Sequence, residues 1–79
     1  MLHEASGYVT YLQFENTSGV PGLIKVGSSR AQLTLRVGPG KTGGLGPLEA
    51  TPYVDARGDL PIDFEGFEGV VRACKAPPL

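Results

Sequence analysis

The sequence predicts an all-β fold, a small antiparallel barrel or sandwich of roughly five to seven short strands with a long loop rich in glycine and proline. Three observations lead to this prediction. Residues 31–37 alternate between apolar and polar side chains, which is typical of a strand with one buried face. Residues 8–14 concentrate the aromatic and β-branched side chains that suit a pleated sheet. Nineteen of the 79 residues are glycine or proline, so turns must divide the chain often.

Six segments fit short strands, and turn-forming residues separate them. The strand at 31–37 is expected to direct Leu33 and Leu35 into the core, because these side chains alternate with polar ones. Pro52 lacks the backbone N–H that a sheet interior needs, which confines the fourth strand to an edge or a bulge. The six segments are residues 8–14, 23–26, 31–37, 48–54, 60–65 and 70–75.

The segment 62–75 also fits a helix, since its apolar side chains recur every three or four residues. Gly66 and Gly69 disfavour that alternative, because a glycine in a helix interior costs about 1 kcal/mol relative to alanine. We therefore expect strands here and keep a short helical turn as the alternative. The apolar positions concerned are Phe64, Phe67, Val71 and Cys74.

Residues 38–47 read GPGKTGGLGP and contain five glycines and two prolines. Neither a helix nor a central strand is expected to pass through such a segment. We predict a flexible loop that is mobile in the isolated protein and ordered in contact with a partner. Such a loop could be replaced by a short Asn-Gly turn without loss of the fold.

The length allows one small domain over residues 1–79, with residues 1–6 and 76–79 as extended tails. Domains of this size usually gain stability from disulfides, metals or oligomerisation. The single cysteine excludes an intramolecular disulfide, and no set of metal ligands is evident, so oligomerisation or docking on a larger body remains. Because no signal peptide or long apolar run is present, we expect a protein made in the cytoplasm that does not enter a membrane.

Three short motifs suggest a function, and each is better explained as a turn. The letters GKT at 40–42 match the end of a phosphate-binding loop, but the first glycine of that motif would fall at Leu35. RGD at 57–59 resembles the integrin-binding signal of adhesion ligands, yet it fits a turn in which Gly58 supplies a positive φ angle. NTS at 16–18 matches a glycosylation site, which indicates a turn in a chain without a secretory signal.

No catalytic constellation is evident, so we expect neither enzymatic activity nor a cofactor. His3 is the only histidine and lies in an N-terminal segment that we expect to be mobile, where no triad can form around it. Cys74 stands in an apolar run and is expected to be a small buried hydrophobe. The acidic residues match no calcium-loop spacing, and we expect them to form a solvated face rather than a metal site. They are Asp55, Asp59, Asp63, Glu65 and Glu68.

Charge is distributed unevenly along the chain, although the net charge is only −1. Residues 22–41 contain four basic residues and no acid, whereas residues 49–68 contain six acids and one arginine. If the two segments face apart, copies could meet head to tail with basic face against acidic face. If they are adjacent strands, they neutralise one another within the monomer. The sequence leaves both arrangements open.

The function predicted from these properties is that of a non-catalytic structural or assembly protein that contacts neighbouring subunits through its loop and tail. Small virion proteins that decorate or cement capsids, or join head and tail parts, share this general character. Incorporation into a virion or another large complex is the corresponding destination. The expected partners are identical copies, a larger protein assembly, or both. The predicted contact residues are Arg30, Arg36, Lys41, Leu45, Tyr53, Phe67, Pro77, Pro78 and Leu79.

Two other functions fit the sequence. An SH3-like barrel adaptor would bind a peptide or a partner protein through Phe64, Gly66, Phe67, Gly69 and Val70. An oligonucleotide-binding barrel would stack bases on Tyr8, Tyr11 and Phe14, but the slightly negative net charge argues against nucleic acid.

Overall fold

The structure is a computed structural model that describes residues 1–66 and 68–78. It contains six strands and a short 3-10 helix at Thr51–Tyr53. The strands are β1 (Val9–Asn16), β2 (Gly22–Gly27), β3 (Gln32–Val37), β4 (Thr42–Glu49), β5 (Ile62–Glu65) and β6 (Gly69–Ala76).

The strands form two antiparallel three-stranded sheets. Sheet 1 has the order β4-β1-β6, and sheet 2 has the order β3-β2-β5. Every connection except the β2–β3 turn leads from one sheet to the other. The predicted all-β antiparallel fold is confirmed, and the helical alternative for 62–75 is wrong because β5 and β6 occupy that segment. The two sheets do not close into a single barrel.

The central strands β1 and β2 supply four of the nine buried apolar residues of the described chain, because each of these strands has a sheet neighbour on both sides. Leu12 and Phe14 of β1 are buried, and so are Ile24 and Val26 of β2. In each strand these residues alternate with more exposed ones, so one face of each sheet points inward. Buried side chains from β3 and the connecting segments complete the cluster: Ala5, Val37, Ala50, Val54 and Leu60.

The alternation predicted for 31–37 is present in β3, but the burial is incomplete. Leu33 and Leu35 are half-buried, and Val37 is the residue of this strand that is fully buried. The reason is position, since β3 is the edge strand of sheet 2. Within the described residues, its leucines have a neighbouring strand on the β2 side only.

The flexible loop predicted at 38–47 is wrong over most of its length, because β4 begins at Thr42. β4 pairs with β1 along its length, with a register shift between Thr10 and Leu12. At position 46 glycine is favoured because β1 approaches closely. A Cβ at Gly46 would lie 3.0 Å from the Thr10 carbonyl oxygen and 3.1 Å from a ring carbon of Tyr11. Replacing 38–47 by a short turn would therefore remove most of an edge strand.

The strand predicted at 48–54 ends early. β4 stops at Glu49, and Thr51–Tyr53 forms the 3-10 helix. Pro52 fits there because its fixed φ angle and missing N–H are tolerated in the first turn of a helix. The Tyr53 amide closes the turn by donating to the Ala50 carbonyl at 2.9 Å.

The N-terminal segment is held against the domain instead of extending from it as a mobile tail. Leu2 and Leu60 exchange two backbone hydrogen bonds in an isolated antiparallel bridge. Ala5 is fully buried in the core cluster. The Lys75 ammonium donates to the carbonyls of His3 and Glu4, both at 2.8 Å.

The buried side-chain amide of Asn16 joins the end of β1 to the turn before β2 and to the end of β3. Asn16 is fully buried, and its Nδ2 donates to the carbonyls of Val20 at 2.8 Å and Val37 at 3.0 Å. Its Oδ1 accepts from the amide and the hydroxyl of Ser18. Its backbone amide donates to the Lys41 carbonyl, and its carbonyl accepts from the Gly40 amide. Asn16 therefore connects β1 to the end of β3 and to the turn before β4.

The first prediction concerns the different burial of two residues that face each other across β2 and β3. Ile24→Ala should lower the free energy of unfolding by about 2 to 5 kcal/mol, because it leaves a cavity in the buried core cluster. Leu35→Ala should cost clearly less, because Leu35 is only half-buried. Urea unfolding of both variants measures the difference. Equal losses would contradict the edge position of β3.

The second prediction concerns the buried amide. Asn16→Ala should lower the free energy of unfolding by at least about 2 kcal/mol, because the Val37 carbonyl loses the Asn16 donor and the amide and hydroxyl of Ser18 lose their acceptor. Gln13→Ala, on the exposed side of β1, is the control and should change stability by less than about 0.5 kcal/mol. A loss for Asn16→Ala no larger than that of the control would show that this amide does not hold the turns.

Candidate interaction surfaces

Three basic residues among the predicted contacts are exposed. Arg30 lies in the turn between β2 and β3, Arg36 lies on β3, and Lys41 lies in the turn before β4. In the part of the chain that the structure describes, none of the three forms an ion pair. Of the three, Arg36 shares a sheet face with acidic side chains.

The other predicted contacts are placed differently. Leu45 and Tyr53 are half-buried and pack against the core, so most of their apolar surface already has a partner within the domain. Pro77 and Pro78 are exposed and directly follow β6. Phe67 and Leu79 lie outside the described residues. The contact roles of all these residues stay predictions.

The outer face of sheet 1 carries a mixed apolar and polar surface, formed by the exposed residues Tyr11, Gln13, Glu15, Val70, Arg72 and Cys74. Tyr11 is 45% exposed and Val70 is 46% exposed. The strand register places Tyr11 opposite Cys74 and Gln13 opposite Arg72. Two shallow depressions lie on this face and share Gln13 and Arg72 in their linings.

The prediction that Cys74 is buried is wrong. Its thiol is exposed on the outer face of sheet 1. The cause is the two-residue period of a strand: Val71 points inward, so Cys74, three residues later, points outward. The apolar run around Cys74 indicated a strand but not which face of it the thiol occupies.

The outer face of sheet 2 carries charges in an ordered arrangement. It is formed by Leu23, Lys25, Gln32, Thr34, Arg36, Asp63 and Glu65, of which four are charged. Register places Arg36, Leu23 and Glu65 in one row across the three strands. The next row contains Thr34, Lys25 and Asp63. A shallow depression of about 330 Å³ lies at the end of this face nearest Leu23.

The basic and acidic segments of the sequence are therefore neighbours, because β2 pairs with β5. Lys25 Nζ lies 2.7 Å from Glu65 Oε2, and this hydrogen bond, with the charges of Glu65 and Asp63, raises the pKa of Lys25. The acids of β5 neutralise only part of the basic charge on this face. Arg36 lies on β3, across β2 from β5, and has no acidic partner among the described residues. Alternation at 60–65 places Asp63 and Glu65 on the outer face, but they were not among the predicted contacts.

The Arg-Gly-Asp turn is part of the protein's own structure. Gly58 has a φ angle of 83°, as the turn prediction required. Asp55 Oδ1 accepts from the backbone amides of Arg57 and Asp59. Asp59 is buried, and its Oδ1 accepts from the Glu4 amide at 3.0 Å. A ligand for an adhesion receptor must present this carboxylate to solvent, and Asp59 does not.

The other short motifs are also internal. The amide of Asn16 is buried and hydrogen-bonded, so the sequon at 16–18 does not present an acceptor for a glycan. The residues at 40–42 lead into β4, and no helix follows to supply amides for a phosphate. Both observations agree with the interpretation of these motifs as turns.

The aromatic platform expected for an oligonucleotide-binding barrel is not assembled. Phe14 is fully buried in the core. Tyr8 has the Lys75 ammonium over its ring, 4.8 Å from the centroid. Of these three aromatic residues, Tyr11 alone is exposed on the outer face of sheet 1. One aromatic ring does not provide the succession of stacking surfaces that a single strand requires.

Neither a metal centre nor a spanning helix is found in the described part of the chain. Within residues 1–66 and 68–78, no three histidine, cysteine, aspartate or glutamate side chains are grouped so that they could hold a metal ion. No helix in the same residues has the length and apolar character needed to cross a membrane.

Comparisons with protein-family models, with curated proteins and with solved structures found no match to this chain. The surfaces described above are therefore interpreted from their own geometry.

The third prediction concerns Asp59. The hydrogen bond from the Glu4 amide, together with His3 and Arg57, lowers the pKa of Asp59, although partial burial acts in the opposite direction. Because the pKa in the unfolded chain is about 3.9, the ionised carboxylate stabilises the fold above that pH. This contribution is lost as the pH falls through the lower, folded-state pKa.

Asp59→Asn should therefore be less stable than the wild type at about pH 6, and the difference should narrow as the pH falls well below about 3.9. Urea unfolding of both proteins across this range measures the difference. A difference that is constant with pH would contradict the lowered pKa of Asp59.

Proposed function

We propose that this is a non-catalytic structural or assembly protein that binds a neighbouring subunit along the free edge of β6. The observation that carries the proposal is an eight-residue edge strand bordered by exposed apolar side chains. Among the described residues, β6 pairs with β1 on one side and with no strand on the other. Val70 and Tyr11, on the same face, are two of the four large apolar side chains exposed in the described residues.

The other edge strands are less suited to strand addition. β5 has only four residues, and β3 has six. β4 is as long as β6, but it contains Pro47, which has no N–H to donate, and an irregular register with β1. Proteins usually shorten, bend or interrupt an edge strand to prevent unwanted pairing. β6 contains no proline, and its pairing with β1 has no register shift. Of its two cations, Lys75 is already bound to the carbonyls of His3 and Glu4, which leaves Arg72 as the exposed one.

An extended segment of a partner could pair with β6 as an added strand. Backbone hydrogen bonds would provide much of the affinity, and side chains on alternate positions would provide specificity. Val70, Arg72 and Cys74 would then lie beside the side chains of the added strand on the outer face. The exposed ring of Tyr11, one strand further in, would extend the apolar contact across the sheet.

We also infer that the two sheets form a sandwich. The inward residues Leu12 and Phe14 of sheet 1 belong to the same buried cluster as Ile24 and Val26 of sheet 2. In this arrangement the outer faces of the two sheets point away from each other. A partner on β6 would therefore leave the outer face of sheet 2 free.

The narrower form of the proposal is a component of a large assembly, such as a small virion protein that decorates or cements a capsid or joins head and tail. The small core and the open edge support it, because added partners would supply stability that a thin core lacks. The alternative is a monomeric SH3-like adaptor that binds a peptide. Val70 would contribute to the partner surface in both cases.

The fourth prediction tests the β6 edge. Val70→Lys should reduce the assembled fraction by about tenfold or more, because a lysine on an edge strand opposes strand addition. Val20→Lys is the matched control, since Val20 is 50% exposed but lies in the turn after β1. Sedimentation velocity of the assembled protein measures both variants.

Thiol labelling of native Cys74 provides a second measurement. The exposed thiol should react readily in the free protein and more slowly once a partner strand lies beside it. Assembly of Val70→Lys at the wild-type level, or equal labelling of Cys74 in both states, would contradict the proposal. A stable monomer that binds a short extended peptide at β6 would favour the adaptor.

A further inference from the structure

We propose that the outer face of sheet 2 binds the same face of a second copy of this chain. The contact would have a two-fold axis that lies between the two facing sheets and runs parallel to β2. The proposal uses different residues from the β6 edge and goes beyond the assembly function proposed above. It is argued from the layout of charge on this face.

The two sides of the face carry opposite charge. Arg36 lies on β3 at one edge, and Asp63 and Glu65 lie on β5 at the other. Lys25 stands between them on β2 and is already bound to Glu65 at 2.7 Å. With four charged residues of which two are basic, the face has no net charge. Two copies can therefore approach without overall repulsion.

Only one orientation of a two-fold contact matches these charges. An axis parallel to β2 exchanges the two edges, so that β3 of one copy lies over β5 of the other. Positions along the strands are preserved by this rotation. Because Arg36 and Glu65 occupy the same row, Arg36 then faces the partner's Glu65, and the contact is made twice. An axis perpendicular to the strands would place β3 on β3 and bring no acid to Arg36.

The centre of the face provides the apolar part of the contact. Leu23 lies midway between Arg36 and Glu65 in their row and is half-buried. On the axis it would meet the partner's Leu23. Packed sheets lie about 10 Å apart, a distance that an arginine and a glutamate side chain can span from opposite sides. Glu65 can accept from Arg36 while it keeps Lys25, because a carboxylate has two oxygen atoms and several acceptor sites.

Charge reversal at the two ends of the row tests the contact. In Arg36→Glu the new carboxylate would face the partner's Glu65, and in Glu65→Arg the new guanidinium would face the partner's Arg36. Each variant alone should self-associate at least about tenfold more weakly than the wild type, because like charges are then opposed. A mixture of the two variants restores opposite charges at both ends of the row. The mixture should associate within about threefold of the wild type.

Sedimentation equilibrium at low and high salt measures all four samples, and thermal unfolding checks that each variant is folded. Arg72→Glu is the matched control, because it reverses an exposed arginine on the outer face of sheet 1 and should leave this association unchanged. Should Glu65→Arg fail to fold through loss of the Lys25 ion pair, Glu65→Gln replaces it, because the amide oxygen can still accept from Lys25 while the partner's Arg36 loses its carboxylate. Glu65→Gln should then also associate more weakly than the wild type.

Recovery of association in the mixture, with both single variants weakened, supports the proposal. A wild type that stays monomeric, single variants that associate like the wild type, or a mixture that remains monomeric overturns it. The two proposals fail separately. If Val70→Lys loses assembly through β6 while the faces of sheet 2 still pair, both proposals are supported. If the protein assembles through β6 but the mixture of charge-reversal variants does not associate, only the pairing of the sheet 2 faces is rejected.

Discussion

The buried amide of Asn16 is the constraint on which the arrangement of the two sheets depends. It occupies the last inward position of β1 and uses both N–H groups and its oxygen within the protein. Through the Val20 carbonyl it fixes the crossing to β2, and through the Val37 carbonyl it fixes the end of β3. A fully satisfied buried amide favours one register, since any slip would leave buried polar groups without partners. Three strand ends therefore meet at one point.

The N-terminal segment holds the other end of sheet 1. Leu2 pairs with Leu60, and Lys75 binds the carbonyls of His3 and Glu4 while its ammonium lies over Tyr8. Hydrogen bonds thus hold both ends of sheet 1. The apolar side chains are divided between a shared core and two outer faces of different chemistry. The face of sheet 1 presents a ring, a thiol and a valine beside an open edge. The face of sheet 2 presents the Lys25–Glu65 ion pair and, among the described residues, an Arg36 without an acidic partner. This difference is the physical basis for proposing two different contacts.

The glycine-rich segment shows how composition can mislead. A strand normally loses stability at glycine because the residue has no side chain to pack. In β4 the space beside Gly46 is filled from the neighbouring strand, since β1 approaches so closely that a Cβ at Gly46 would lie 3.0 Å from the Thr10 carbonyl oxygen and 3.1 Å from a ring carbon of Tyr11. The ring of Tyr11 covers the space beside Gly46, an arrangement typical of cross-strand aromatic and glycine pairs. The same composition in a segment without such a neighbour would form a loop.

Local sequence determined the elements whose signal lies within a few residues. The alternation at 31–37, the aromatic and β-branched run that became β1, and the positive φ angle at Gly58 are all set by neighbouring side chains and backbone sterics. Tertiary structure decided the rest. Only pairing with β1 makes β4 a strand, only the edge position leaves Leu35 half-buried, and only the register of β6 turns Cys74 outward. The arrangement of charges on the outer face of sheet 2 also depends on tertiary structure. Arg36 and Glu65 are far apart in the sequence, and pairing of both β3 and β5 with β2 brings them into one row.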